Sequence, residues 1–193
     1  MKQQVDDVGF IRTMITTLES TYDIDPLHIV AAGHSNGGVL AYRLACELSD
    51  EIAAIGVQSS VLGIPACIPD RPVSVLHIHG SADQNIPIDG GIGSKAVSGV
   101  RFSRPLDGAV TLAAADGCPA TPARAVDAAN PDLSVTSWTP CDGGAEVAFV
   151  QVQDASHAWM GHPTGHSGLV GEPYAQLDSS LLIWNFLAQH MRD

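Results

Sequence analysis

Positive charge is scarce in this sequence: 9 Lys and Arg stand against 21 Asp and Glu in 193 residues, a formal net charge of −12. Nine scattered cations do not build a phosphate-neutralising face, which argues against a nucleic-acid partner. Charged residues of both signs reach only 16%, below the roughly 25% usual for a soluble domain. Aromatics are 5%, so no obvious platform for stacking carbohydrate is present. No run approaches ~18 apolar residues, and no transmembrane helix is expected. The opening Met1-Lys2-Gln3-Gln4-Val5-Asp6-Asp7 lacks the apolar stretch of a secretory signal. There is no repeat and no sign of a domain boundary. What is abundant is apolar material, 45% of the chain, enough to offset ordering entropy and to exclude disorder. The 19 Gly and 12 Pro are aperiodic, which excludes a collagen-like chain. The length fits one domain, residues 1–193, with a sizeable core.

The four cysteines, Cys46, Cys67, Cys118 and Cys141, form no CxxC pair and so do not suggest a zinc ribbon. Their even number allows three disulfide connectivities. The two local pairings, Cys46 with Cys67 and Cys118 with Cys141, would each close a loop of ~20 residues, worth about 3 kcal/mol apiece on the chain-entropy model. The alternative is four buried thiols in a cytosolic protein. The reading favours an oxidising compartment, secreted or periplasmic.

Val5, Val8, Ile11, Ile15 and Leu18 recur at helical spacing, with Asp6 and Asp7 at the favourable end. After a break at residues 23–26, residues 28–32 form an apolar run of buried-strand type that ends at Gly33. Residues 39–48 predict a helix, residues 52–57 and 73–78 two more strands, and residues 106–115 another helix. Residues 134–139 and 145–152 predict a hairpin. Leu177, Leu181, Trp184, Ala188 and Met191 predict a closing helix capped by Asp178 or Ser179. Strands alternating with helices predict an α/β fold with a mostly parallel sheet.

Gly33-His34-Ser35-Asn36-Gly37 is a G-x-S-x-G motif between a strand and a helix, the setting of a nucleophile elbow. The turn forces the serine into a strained conformation, and small flanking residues let strand and helix approach. Ser35 Oγ then stands at a helix N-terminus, where negative charge is favoured. The N–H of Asn36 points there as one oxyanion donor. The bland reading is a Gly-rich turn with an exposed serine.

A serine nucleophile needs a base and an orienting carboxylate. The strand over 73–78 runs into His79-Gly80-Ser81-Ala82-Asp83, and that over 145–152 into Gln153-Asp154-Ala155-Ser156-His157. Asp83 and His157 therefore both sit just past strand ends, in the order Ser, acid, His of an α/β-hydrolase. Among competitors, Asp89 and Asp154 are expected to be solvated, and His77 and His79 to be satisfied core or loop histidines. His157, His162 and His166 crowd one stretch, but without an i, i+4 pair or a nearby Cys they do not predict a metal site. His34 either touches substrate or fills the motif's variable position; Trp159 is either a core aromatic or a wall of an acyl pocket.

Residues 5–11 (Val-Asp-Asp-Val-Gly-Phe-Ile), Gly33-His34-Ser35-Asn36-Gly37-Gly38, Tyr42-Arg43-Leu44-Ala45-Cys46, His77-Ile78-His79-Gly80-Ser81-Ala82-Asp83 and His157-Ala158-Trp159 together resemble the esterase family of polyhydroxybutyrate depolymerases and feruloyl esterases. Asp116-Gly117-Cys118 and Trp138-Thr139-Pro140-Cys141 resemble that family's second cysteine pair. The resemblance implies a secreted serine esterase of the α/β-hydrolase fold, with Ser35 as nucleophile, Asp83 as acid and His157 as base. It implies hydroxyalkanoate, hydroxycinnamate or related short-chain esters as substrates, and no cofactor. Met160 departs from the family's usual Pro. The family's early strands, and the His-Gly loop that gives a second oxyanion donor, have no counterpart ahead of Ser35, so the chain is read as N-terminally shortened, either a natural short form or a fragment. The strand near His28–Ala32 is then an apolar sheet edge, and a second copy, as a homodimer, or a missing partner segment is expected to cover it; the alternative is a naturally short hydrolase whose strands are rearranged to hide the edge. The alternative function is a weak or inactive hydrolase remnant that serves binding or assembly. A peptidase or thioesterase would use the same residues.

Overall fold

The computed structural model describes residues 5–97 and 99–192. The reading of Met1–Gln4 as lacking a signal-like stretch falls outside them. Asp6 accepts from the Gly9 N–H at 2.9 Å and so caps α1 (Asp7–Thr21), which the apolar spacing had indicated. Asp25 accepts from the Leu27 N–H at 3.0 Å, and Pro26 opens a single 3-10 turn, Pro26–His28. That turn consumes the start of the expected strand. β1 is therefore Val30–His34, two residues later than the apolar run suggested, and it continues into the motif itself.

α2 (Asn36–Glu47) begins directly after Ser35, three residues before the predicted start, despite two glycines in its first turn. β2 (Ala54–Gln58) and β3 (Ser74–Gly80) are buried at every position, as interior parallel strands should be. α3 (Pro105–Ala115) follows, then β4 (Ala123–Val126), which the sequence did not announce. The predicted hairpin is β5 (Leu133–Trp138) and β6 (Val147–Val152). A four-residue α4 (Ser167–Val170) precedes α5 (Ser179–Gln189), whose cap is Asp178, accepting from the Leu181 N–H.

The strands form one six-stranded sheet ordered β1-β2-β3-β6-β5-β4. The first four are mutually parallel, while β5 pairs antiparallel with β6 and with β4. This is the mostly parallel α/β arrangement expected. Among the described residues β1 pairs only with β2, so the edge foreseen near His28–Ala32 lies at Val30–His34.

Alternate residues of each inner strand feed two cores. Val75, Val147 and Phe149 face α1, α2 and α3, with Tyr42, Leu44 and Leu112. Leu76, Ile78 and Val150 face α5, with Ile183 and Leu187. Disulfides join Cys46 to Cys67 and Cys118 to Cys141, the two local pairings. The first ties α2 to the loop after β2; the second ties the end of α3 to the β5–β6 connection.

Candidate active site

Ser35 sits between the C-terminal end of β1 and α2 with φ +55°, in the region that L-residues rarely occupy. Its N–H donates to the Gln58 carbonyl at 3.0 Å, and its carbonyl accepts from Ser60 Oγ at 3.0 Å. A methyl group at Gly33 would come within 2.3 Å of the Gly37 carbonyl oxygen, so the strand and helix meet only because Gly33 has no side chain. At Gly37 the same addition would meet nothing within 4 Å, and the second tight position is Gly38, against Ser60. Small size is thus demanded at the first and sixth positions of Gly33–Gly38, not at the fifth.

β3 and β6, neighbours in the sheet, deliver the other two residues. The loops leaving them are stitched together: Ser81 N–H donates to the Val152 carbonyl at 2.9 Å and Ala82 N–H to Ala155 at 3.0 Å. A side chain on Gly80 would collide with the Ala155 carbonyl at 2.2 Å. With the loops this close, His157 Nδ1 lies 2.8 Å from Asp83 Oδ2, and His157 Nε2 lies 2.9 Å from Ser35 Oγ. The carboxylate can only accept, so Nδ1 carries the proton and Nε2 is left to accept from the serine hydroxyl.

Asp83 and His157 are both buried. Burial pushes the Asp83 carboxyl up, but the His157 hydrogen bond, the electrostatic influence of the neighbouring His157 and His79 rings and the Ile86 N–H together hold it below the ordinary carboxylate range. Its Oδ1 accepts from the N–H groups of Asn85 and Ile86, both at 2.8 Å. The carboxylate is thus fixed on one oxygen and free to orient His157 with the other. Asn36 is the first residue of α2, so its N–H has no acceptor within the helix and faces the end where a developing oxyanion is favoured.

His34 Nε2 donates to the His157 carbonyl at 2.8 Å, and its ring meets Trp159 edge-on, with centroids 5.6 Å apart. Burial lowers the His34 imidazole pKa, outweighing the rise from that carbonyl. Trp159 is half-buried and donates from Nε1 to Ser180 Oγ at 3.0 Å. His162, 3.3 Å from Ser180 Oγ and 3.5 Å from Asp178 Oδ1, points to the start of α5. Asp89 is exposed, while Asp154 takes φ +56° and accepts from Gln153.

The sequence reading missed Gln58. Its fully buried amide donates to the Ala158 carbonyl at 3.0 Å and accepts from Met160 N–H at 3.3 Å and from Ser179 Oγ at 2.6 Å. It thereby clamps the segment just past His157 onto α5. Met160 is itself fully buried and uses the N–H that a proline would lack, which absorbs the departure noted in the sequence.

A mostly parallel sheet with a strained serine at one strand end, and an acid and a histidine past two others, defines an α/β-hydrolase-like fold. No family model matches the chain. By sequence it is 29% identical over 160 residues to feruloyl esterase B of Piromyces equi, covering 79% of this chain and 29% of that protein. It is 32% identical over 170 residues to the protein named "Putative esterase NocK" of Nocardia uniformis subsp. tsuyamanensis, covering 80% of this chain and 49% of that one. Against feruloyl esterase C of Emericella nidulans the identity is 36% over 88 residues, 45% of this chain and 32% of the relative. The resemblance to feruloyl esterases therefore holds, and the chain spans half or less of the length of each of these relatives.

Proposed function

We propose that this chain is a serine carboxylester hydrolase. The observation that carries the proposal is the continuous hydrogen-bonded line from Ser35 Oγ through His157 to Asp83, at 2.9 and 2.8 Å. His157 Nε2 takes the Ser35 proton as Oγ attacks the ester carbonyl carbon. The Asn36 N–H stabilises the oxyanion of the tetrahedral intermediate. Collapse expels the alcohol, which receives the proton from His157, and leaves an acyl-serine. Water, activated by the same Nε2, then releases the acid and restores the serine. Asp83 holds the imidazole in the required tautomer and balances its transient charge.

The names of the relatives, feruloyl esterases and a bifunctional acetylxylan esterase/xylanase, support hydroxycinnamate or acetyl esters as substrates, with hydroxyalkanoate esters in the same chemical class. A net charge of −12 favours neutral esters over anionic ones. His34 and Trp159, adjoining His157, are the side chains offered to the acyl group. Two disulfides support a secreted or periplasmic site of action. The open edge of β1 supports a second copy of the chain as its cover, which sedimentation at micromolar concentration would show as a dimer and a stable monomer would refute.

The deciding experiment is hydrolysis of p-nitrophenyl acetate, butyrate and octanoate by the purified chain beside Ser35→Ala. Turnover lost in the variant is the expected result, and the chain-length profile sizes the acyl pocket. Equal rates from both proteins would refute the proposal and favour a non-catalytic binding role.

A further inference from the structure

We infer that Tyr42, His77 and His79 form a buried positioning relay that sets the loop of Asp83. The inference rests on the reading of Asp83 as the orienting acid. Tyr42 comes from α2, the helix that Ser35 opens; His77 and His79 come from the face of β3 turned towards that helix. All three are fully buried. Tyr42 Oη lies 2.7 Å from His77 Nδ1, His77 Nε2 lies 3.1 Å from His79 Nδ1, and His79 Nε2 lies 2.9 Å from the Ile86 carbonyl oxygen.

With both rings neutral, the last link fixes the direction of every proton in the line. A carbonyl can only accept, so His79 Nε2 carries hydrogen. Burial holds both imidazole pKa values down, His77 further than His79, which favours the neutral form of each ring, and the relay takes both as neutral. His79 Nδ1 must then accept from His77 Nε2–H, and His77 Nδ1 must accept from the Tyr42 hydroxyl. Each polar atom along the line has one partner of the right kind. A proton added to His79 would set two N–H groups against each other unless His77 changed tautomer and the tyrosine found another acceptor.

The line ends where the acid is held. Ile86 accepts from His79 through its carbonyl and donates through its N–H to Asp83 Oδ1. His79 Nε2 also lies 3.6 Å from Asp83 Oδ2, beyond a hydrogen bond but close enough to bias the carboxylate. The nucleophile helix and the acid loop, held apart by β3, are therefore set relative to each other by side chains that touch neither the serine nor the ester. A well-packed core could have filled this space with Leu and Val; two imidazoles with a single permitted proton arrangement specify one loop position instead.

The test combines proton NMR with kinetics on the full chain. In ¹⁵N-histidine-labelled protein, His77 and His79 are expected as neutral Nε2–H tautomers, and the His157 Nδ1–H bonded to Asp83 as a low-field proton. Tyr42→Phe removes the first donor alone. It is expected to mix the His77 tautomers, displace the His157 low-field resonance, and lower kcat on p-nitrophenyl acetate about tenfold with KM within about twofold. His79→Gln, whose amide can still donate to Ile86, is expected to keep more activity than His79→Leu. An unmoved His157 resonance in folded Tyr42→Phe, or a wild-type His79 protonated only at Nδ1, would overturn the relay. If the wild-type chain shows no Ser35-dependent turnover, the esterase reading fails by itself, and the resonance of His157 still decides the relay. Should His79→Leu not fold, the Tyr42→Phe arm is sufficient.

Discussion

His34 Nε2 donates to the backbone carbonyl of His157 at 2.8 Å, across 123 residues of sequence. The residue before the nucleophile thus holds the base from behind while His157's own ring faces Ser35. His34→Phe keeps a flat ring beside Trp159 and removes the donor. Its expected effect is a fall in kcat of about tenfold through misplacement of His157, with a stability loss near 1 kcal/mol. Steady-state kinetics beside a thermal melt check both; unchanged kcat would leave His34 as a substrate contact at most.

Gln58 donates to the Ala158 carbonyl and accepts from the Met160 N–H and the Ser179 hydroxyl, which also reaches the Met160 carbonyl at 3.2 Å. Gln58→Leu takes this partner from the Ala158 carbonyl and the Met160 N–H, both away from water, and leaves the Ser179 hydroxyl only the Met160 carbonyl. A loss of about 2–4 kcal/mol is expected in urea denaturation, with activity falling in parallel as the His157 loop loosens.

Asp116 is buried, accepts weakly from the Val73 N–H at 3.4 Å, and leaves Oδ1 without a hydrogen-bond partner. Burial, joined by the nearby Asp142 charge, pushes its carboxyl up to about 7. A folded-state pKa above the unfolded one means the native protein holds this proton more tightly. Stability is therefore lost as pH rises from the unfolded carboxylate range, about pH 4, towards 7. Asp116→Asn mimics the protonated form, so its melting temperature should exceed that of the wild type by a margin that grows across this interval. A margin independent of pH would refute the assignment.

Each disulfide closes a loop spanning 21 or 23 residues of sequence. Replacing either pair by alanine is expected to cost about 3 kcal/mol on the chain-entropy model, read from guanidinium unfolding. The Cys46–Cys67 pair, tied to the helix that Ser35 opens, should also change turnover, while the Cys118–Cys141 pair should change stability alone.

Much of this was readable in advance because the inner strands are buried throughout. β3 needs only its apolar run and the Gly80 that ends it, and α5 declares itself by its spacing and by Asp178. The positions of Ser35, Asp83 and His157 followed from where strands stop. β4 was invisible: Ala-Arg-Ala-Val is exposed at all four positions and is held by backbone pairing to β5, so no periodicity marks it. The start of β1 was misplaced because Pro26 and the Asp25 cap spend residues 26–28 on a turn. His77 and His79 could be read as satisfied histidines, but their partners lie on α2 and in the Asp83 loop. Gln58 carried no local signal at all, since the groups it serves lie 100 or more residues further along the chain.

Chain order and sheet order disagree at one place. β6 slots between β3 and β5, although it is made last of all the strands. Until β6 is synthesised, the seven buried residues of β3 have no neighbour on one side, and the nascent polypeptide exposes an apolar ladder. Closing it requires a contact between segments far apart in sequence, which slows folding and lengthens the interval in which chaperones are needed. Because His157 follows β6 directly, assembly of the Ser35–His157–Asp83 line is coupled to the final docking step, and a ribosome-bound or C-terminally clipped intermediate would carry its serine without a base.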